Sequence, residues 1–154
     1  MYDVSGRGEG GRMTAKEFLQ SIRMERMEVD HLSDLLEELR TSLLPSAIRY
    51  DKIDVQVSLP DDPMAETYAK IEEVETKIRD HLSGLVEKYN RAVSMILQLE
   101  KTEHRQILQR YYLSTDHPKW YQVAEQMGYS EQHTFRLHNE AMELLQKIYK
   151  DESL

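Results

Sequence analysis

Two long apolar repeats restrict what this chain can fold into more than any other feature. Phe18, Ile22, Val29, Leu32, Leu36, Leu39 and Leu43 follow an alternating four-three spacing interrupted at Glu25, and Leu19, Met27 and Leu35 widen the stripe. Met64, Tyr68, Ile71, Ile78, Leu82, Leu85, Tyr89, Ala92, Ile96 and Leu99 repeat that spacing, broken at Glu75. Such a pattern lines one face of an α-helix with apolar side chains. Two stripes joined by a loop predict an antiparallel helical hairpin, because consecutive helices usually lie side by side. The pair alone would leave Val74, Val86 and Val93 partly uncovered, so either a homodimer or packing of the C-terminal region onto the hairpin is expected.

Local signals set the expected boundaries. Thr14-Ala15-Lys16-Glu17 forms a capping box for the first helix, and Pro45 predicts its end. Asp61-Asp62-Pro63 restarts helix with a carboxylate cap and an early proline. Between them, Ile53, Val55, Val57 and Leu59 alternate with Asp54, Gln56 and Ser58, the period of a strand. No partner strand is evident in the sequence, so residues 46–61 are expected to be an extended connector, with an edge strand across a dimer as the second option. Residues 1–12, with Gly6, Gly8, Gly10 and Gly11 among small and charged residues, are expected to be a disordered segment outside the fold.

The C-terminal third has a different rhythm. Ile107, Leu108, Tyr111 and Tyr112 share one face of a helix predicted over 103–113. After the polar run Ser114-Thr115-Asp116-His117, a second helix is expected to start near Pro118, with Trp120, Val123, Ala124 and Met127 inward and Gly128 supplying positive φ at its end. Ser130 then caps a third helix. In it Thr134, Leu137, Ala141, Leu144, Leu145 and Ile148 point inward, leaving Glu131, Gln132, His133, Arg136 and Asn139 on other faces. Tyr111, Tyr112 and Trp120 read as core rather than as surfaces for stacking bases.

These residues carry a resemblance. Arg110-Tyr111-Tyr112-Leu113, the stretch Trp120 to Ser130, Phe135-Arg136-Leu137-His138 and Ala141-Met142-Glu143-Leu144-Leu145 resemble region 4 of sigma factors. They are more closely similar to the ArpU and RinA group of phage late transcriptional activators and their phage relatives. The segment Met13 to Leu19, together with Tyr50-Asp51-Lys52 and Asp62-Pro63-Met64-Ala65, is similar to the same group, so the likeness runs from Met13 to Lys150. The resemblance implies a phage or prophage regulator of late genes that binds double-stranded DNA in the cytoplasm of a bacterial host. RNA polymerase is a further candidate partner.

On that reading residues 13–100 are an association region and residues 101–154 a helix-turn-helix DNA-binding module, so the fold class is all-α: a long antiparallel hairpin followed by a sigma region 4-like module. The DNA-reading surface would comprise Ser130, Glu131, Gln132, His133, Arg136 and Asn139. Arg suits guanine O6 and N7, and Gln suits adenine N6 and N7. The sequence departs from the relatives' pattern where basic residues often follow the serine: here Glu131 and Gln132 stand.

Charge weighs on the other side. The net charge is −8, and phosphate contacts call for Lys and Arg. Residues 51–100 hold 6 basic and 11 acidic side chains, against 7 and 8 in residues 101–154, so the acidity gathers outside the proposed reading module. A helical protein-binding adaptor, whose helix-turn-helix is a packing or partner surface, is therefore the alternative function.

Little else in the sequence points to chemistry. There are no cysteines, no apolar run long enough to span a bilayer, and no signal segment, so no membrane association is expected. A carboxylate-bridged dimetal bundle needs Glu-x-x-His on two helices, and only Glu28-Val29-Asp30-His31 fits. His133 and His138 are five apart, on different sides of a helix. Asp116-His117 lacks a nucleophile or a phosphate loop. No enzyme activity, metal or cofactor is expected.

Overall fold

The computed structural model describes residues 12–48, with side chains through Leu44, and residues 62–152. The expected disordered segment, apart from Arg12, and the alternating stretch Ile53 to Leu59 lie outside the described residues. Among those described, the regular structure is helical throughout. Helix α1 spans Ala15–Ile48, α2 Pro63–Ile96, α3 Thr102–Leu108, α4 Trp120–Met127 and α5 Glu131–Glu152, with a π-helical turn at Gln109–Leu113 directly after α3. None of the described helices is long and apolar enough to cross a membrane.

The chain groups into two units, one containing residues up to Arg26 together with Leu85 onward, the other Met27–Gly84. In the first, the opening turns of α1 supply Ala15, Phe18, Leu19 and Ile22 to a core completed by Leu85, Ala92, Met95, Ile96 and Leu99 and by residues of α3, α4 and α5. The Thr14 half of the capping box is formed, its hydroxyl accepting from Glu17 N–H at 3.1 Å. The Ala15 N–H donates to Gln146 Oε1 of α5 at 2.7 Å, tying the start of α1 to the last helix. Fully burying each such aliphatic side chain contributes roughly 1.5–3 kcal/mol.

The second unit is thinner. Leu32 and Val74 are buried in it, while Val29, Leu35, Leu36, Leu39, Leu43, Ile71 and Ile78 are half-buried and Met27 is exposed. The phase of the α2 stripe differs from the four-three reading: Val74 is inside, whereas Tyr68 is 56% and Leu82 42% exposed. At 3.6 residues per turn, Tyr68 lies about 120° and Leu82 about 80° around the helix from Val74. In the first unit Val86 is exposed and Val93 half-buried, as expected of positions beside the stripe.

Both charged interruptions of the stripes meet an opposite charge. Within the first unit Glu25 of α1 pairs with Lys88 of α2 at 2.5 Å. Within the second, Glu75 of α2 pairs with Arg40 of α1 at 2.7 Å. Helix α1 also runs three residues past Pro45, correcting the expected end. A proline disturbs the turn before it, and the residues after it can keep helical geometry.

Candidate nucleic-acid interface

The site rests on the turn between α4 and α5. Gly128 sits at φ 73° and ψ 27°, in the left-handed region that glycine enters without a Cβ penalty. Its N–H bonds to Glu125 O at 3.1 Å, and Tyr129 N–H bonds to Ala124 O at 3.0 Å. This pair of bonds is a Schellman cap, which satisfies carbonyls that the end of α4 would leave open. The expected positive φ at Gly128 is therefore present. Helix α4 itself starts at Trp120, two residues later than the proline signal suggests. Its first turn is closed by Gln122 Oε1, which accepts from Lys119 N–H at 2.9 Å.

Ser130 caps α5. Its hydroxyl accepts from His133 N–H at 3.1 Å, and its carbonyl accepts from both the N–H and the hydroxyl of Thr134, at 3.0 and 2.8 Å. Glu131 occupies the first turn of α5, where a carboxylate is favoured by the positive end of the helix dipole. That gives the acidic residue a local reason to follow the serine.

Of the six residues assigned from sequence, Ser130, Glu131, Gln132, Arg136 and Asn139 are exposed and His133 is half-buried. Four of them, Ser130, Gln132, His133 and Arg136, line one open groove. Arg136 Nη2 lies 2.7 Å from His133 Nδ1, so the guanidinium donates to a ring nitrogen that must be unprotonated. The other side of that imidazole meets Tyr129, with ring centroids 4.7 Å apart and the rings nearly perpendicular. Asn139 is set apart from this group, its Oδ1 3.4 Å from His138 Nδ1.

Behind this surface lies an aromatic layer. Tyr111 stacks on Trp120 at 3.8 Å and 12°, and the Arg23 guanidinium lies 4.1 Å from the centre of the Tyr111 ring. Trp120 also meets His138 at 4.6 Å and Phe135 at 5.4 Å. Tyr112 is buried in the core, with Tyr111 and Trp120 packed against it, as the sequence led us to expect. Leu144, by contrast, was placed inward by its spacing but is 40% exposed.

The turn that carries Tyr111 and Tyr112 is π-helical rather than α-helical, which spacing alone did not indicate. Two arginines of α1 receive its carbonyls and those of the following loop. Arg26 Nη1 donates to Leu113 O at 2.6 Å, and Arg23 donates to the carbonyl oxygens of Tyr111, His117 and Pro118. Carbonyls at a helix end need such partners, and a cation is favoured there by the helix dipole. These two arginines are the residues that sequence reading missed. They lie off the α1 apolar stripe, whose interruption is Glu25, and their partners lie nearly ninety positions away.

Two histidines also differ from a surface role. His138 is buried, and its Nε2 lies 2.7 Å from the Tyr112 hydroxyl. Burial pushes the imidazole down from 6.5 to about 4 and holds the phenol well above its ordinary range. The ring is therefore neutral near pH 7, with Nε2 accepting from Tyr112 and Nδ1–H directed at Asn139. His104, also buried, lies 3.2 Å from Glu140, and this contact holds the exposed Glu140 carboxyl below its usual range. Elsewhere, His31 lies 3.8 Å from Glu28 on an exposed stretch of α1, and among the described residues no group of acidic and histidine side chains is placed to hold a metal.

No protein-family model, curated protein or solved structure matches the chain.

Proposed function

We propose that this chain is a sequence-specific DNA-binding regulator of transcription, of the phage late type that its C-terminal motifs resemble. It acts without catalysis. The observation that carries this reading is the α4–Gly128–Ser130–α5 arrangement: a capped tight turn, an aromatic layer packed behind it, and Gln132, Arg136 and Asn139 outward on the first turns of α5. A helix presented in this way can enter a major groove with its N-terminal side chains at the base edges. Arg136, aimed by His133, is the guanine reader.

The upstream helices form an antiparallel hairpin that serves self-association or contact with RNA polymerase. The pairs Glu25 with Lys88 in the first unit and Arg40 with Glu75 in the second support α1 and α2 lying side by side within each unit. The half-buried apolar residues of the second unit support a second copy as their cover. Sedimentation of the full chain is expected to give a dimer, and a monomer across the micromolar range would remove that part of the proposal.

The adaptor reading has its own support in the charges around α5. Arg105 is engaged with the carbonyls of Leu99 and Glu100, and Arg110 with Gln126, which takes them from the cations available to phosphate. Selection from a random duplex pool with the full-length protein separates the two. Enrichment of one motif supports the regulator, and a pool left unenriched supports the adaptor.

A further inference from the structure

The sequence assignment of the reading surface omits Phe135, and the structure leaves this ring 42% exposed in the second turn of α5. Single exposed apolar residues are common and need no explanation by themselves. Phe135 differs in its placement. Helical residues are about 100° apart, so going around α5 from Arg136 one meets Gln132 at about 40°, Asn139 at about 60° and Phe135 at about 100° in the same direction. The outward strip thus runs from a guanidinium, across two amides, to an aromatic edge.

The ring is also held. Its inner side meets Trp120 at 5.4 Å, Trp120 stacks on Tyr111, and Arg23 covers Tyr111. An apolar side chain backed in this way keeps its exposed part in one place, which is what recognition of a small apolar group requires.

In the major groove the one apolar group that distinguishes bases is the 5-methyl of thymine. Amide side chains pair with adenine, and the thymine opposite that adenine presents its methyl in the same groove. We infer that Phe135 is a second specificity determinant of α5, packing on the 5-methyl group of a thymine whose partner adenine is read by Gln132 or Asn139. This inference rests on the DNA-reading function proposed above.

The test begins with the motif enriched from a random duplex pool by the full-length protein. Each thymine of the motif is then replaced singly by deoxyuridine, which removes the methyl and keeps the base pair. At one position the wild type is expected to bind about four-fold more weakly, the worth of one buried methyl group. Phe135→Ala should bind the thymine and deoxyuridine duplexes equally at that position, while Phe135→Leu, which keeps an apolar contact, should retain part of the difference. Circular dichroism follows folding, and because Phe135 packs on Trp120, the leucine variant and the deoxyuridine series carry the test if the alanine variant does not fold. Deoxyuridine tolerated at every position, or a penalty unchanged in the folded variants, would overturn the role of Phe135 while the enriched motif keeps the DNA-reading function. A pool with no enriched motif would overturn both.

Discussion

The two units of this chain use the same apolar repeat to different effect. In the first, Leu19, Ile22, Met95, Ile107, Leu108 and Leu145 are fully buried, because turns of α1 and α2 are covered by the C-terminal helices. In the second, leucines of equal spacing are half-buried, and Leu32 and Val74 are the buried apolar residues among those described. A four-three stripe therefore marks a face that can be covered, and burial depends on a further layer arriving to cover it. The first unit has that layer within the chain.

The contrast predicts unequal costs. Ile107→Ala in the first unit should lose roughly 2–5 kcal/mol of stability, the range for a buried aliphatic truncated to alanine. Leu36→Ala in the second should lose less than about 2 kcal/mol at dilutions where the chain is a monomer, because within one copy the side chain already meets water. Chemical denaturation of the full chain measures both, and equal losses would break the distinction.

A pH series sharpens the account of the first unit. His138 has a folded pKa of about 4 against an ordinary 6.5, so between those values the unfolded chain binds the extra proton and stability falls as pH falls. The loss should reach up to roughly 3 kcal/mol, at about 1.4 kcal/mol per pKa unit. Glu140, with its carboxyl held low, adds a loss of the same sign only at the acidic end of this range. His138→Gln should flatten the profile between pH 6.5 and 4. A variant that follows the wild-type profile would show that the buried imidazole is not its cause.

The smallest effect belongs to the second unit. Arg40 and Glu75 are paired but solvent-exposed, so their coupling in a double-mutant cycle should be under about 1 kcal/mol and should shrink in high salt. A larger, salt-insensitive coupling would mean that the second copy covers this pair as well as the apolar residues.

What could be read from the sequence follows the range of the interactions. The Gly128 cap and the Ser130 cap were legible because each is decided by a few neighbouring residues and one backbone geometry. The π-helical turn at Gln109–Leu113 was not, since its carbonyls are answered by Arg23 and Arg26 from α1. The phase of α2 was half legible: Leu85, Ala92 and Ile96 are buried as expected, but a period of 3.5 and one of 3.6 diverge over several turns, and in the second unit Val74 takes the inside while Tyr68 and Leu82 face outward. The buried state of His138 depends on Tyr112, a partner on another helix. On the candidate surface, spacing put Glu131, Gln132, Arg136 and Asn139 outward on α5, but it left out Phe135 and put Leu144 inward. It gave no sign that His133 would hold Arg136 or that Trp120 would back Phe135.

The central claim is that α5 reads DNA through Arg136, and titration of the enriched duplex with wild type and Arg136→Ala tests it most directly. The variant should stay folded, because Arg136 is exposed, and should bind roughly 1–3 kcal/mol more weakly with relaxed preference at one guanine. Equal affinity and unchanged base preference in a folded Arg136→Ala protein would contradict the account.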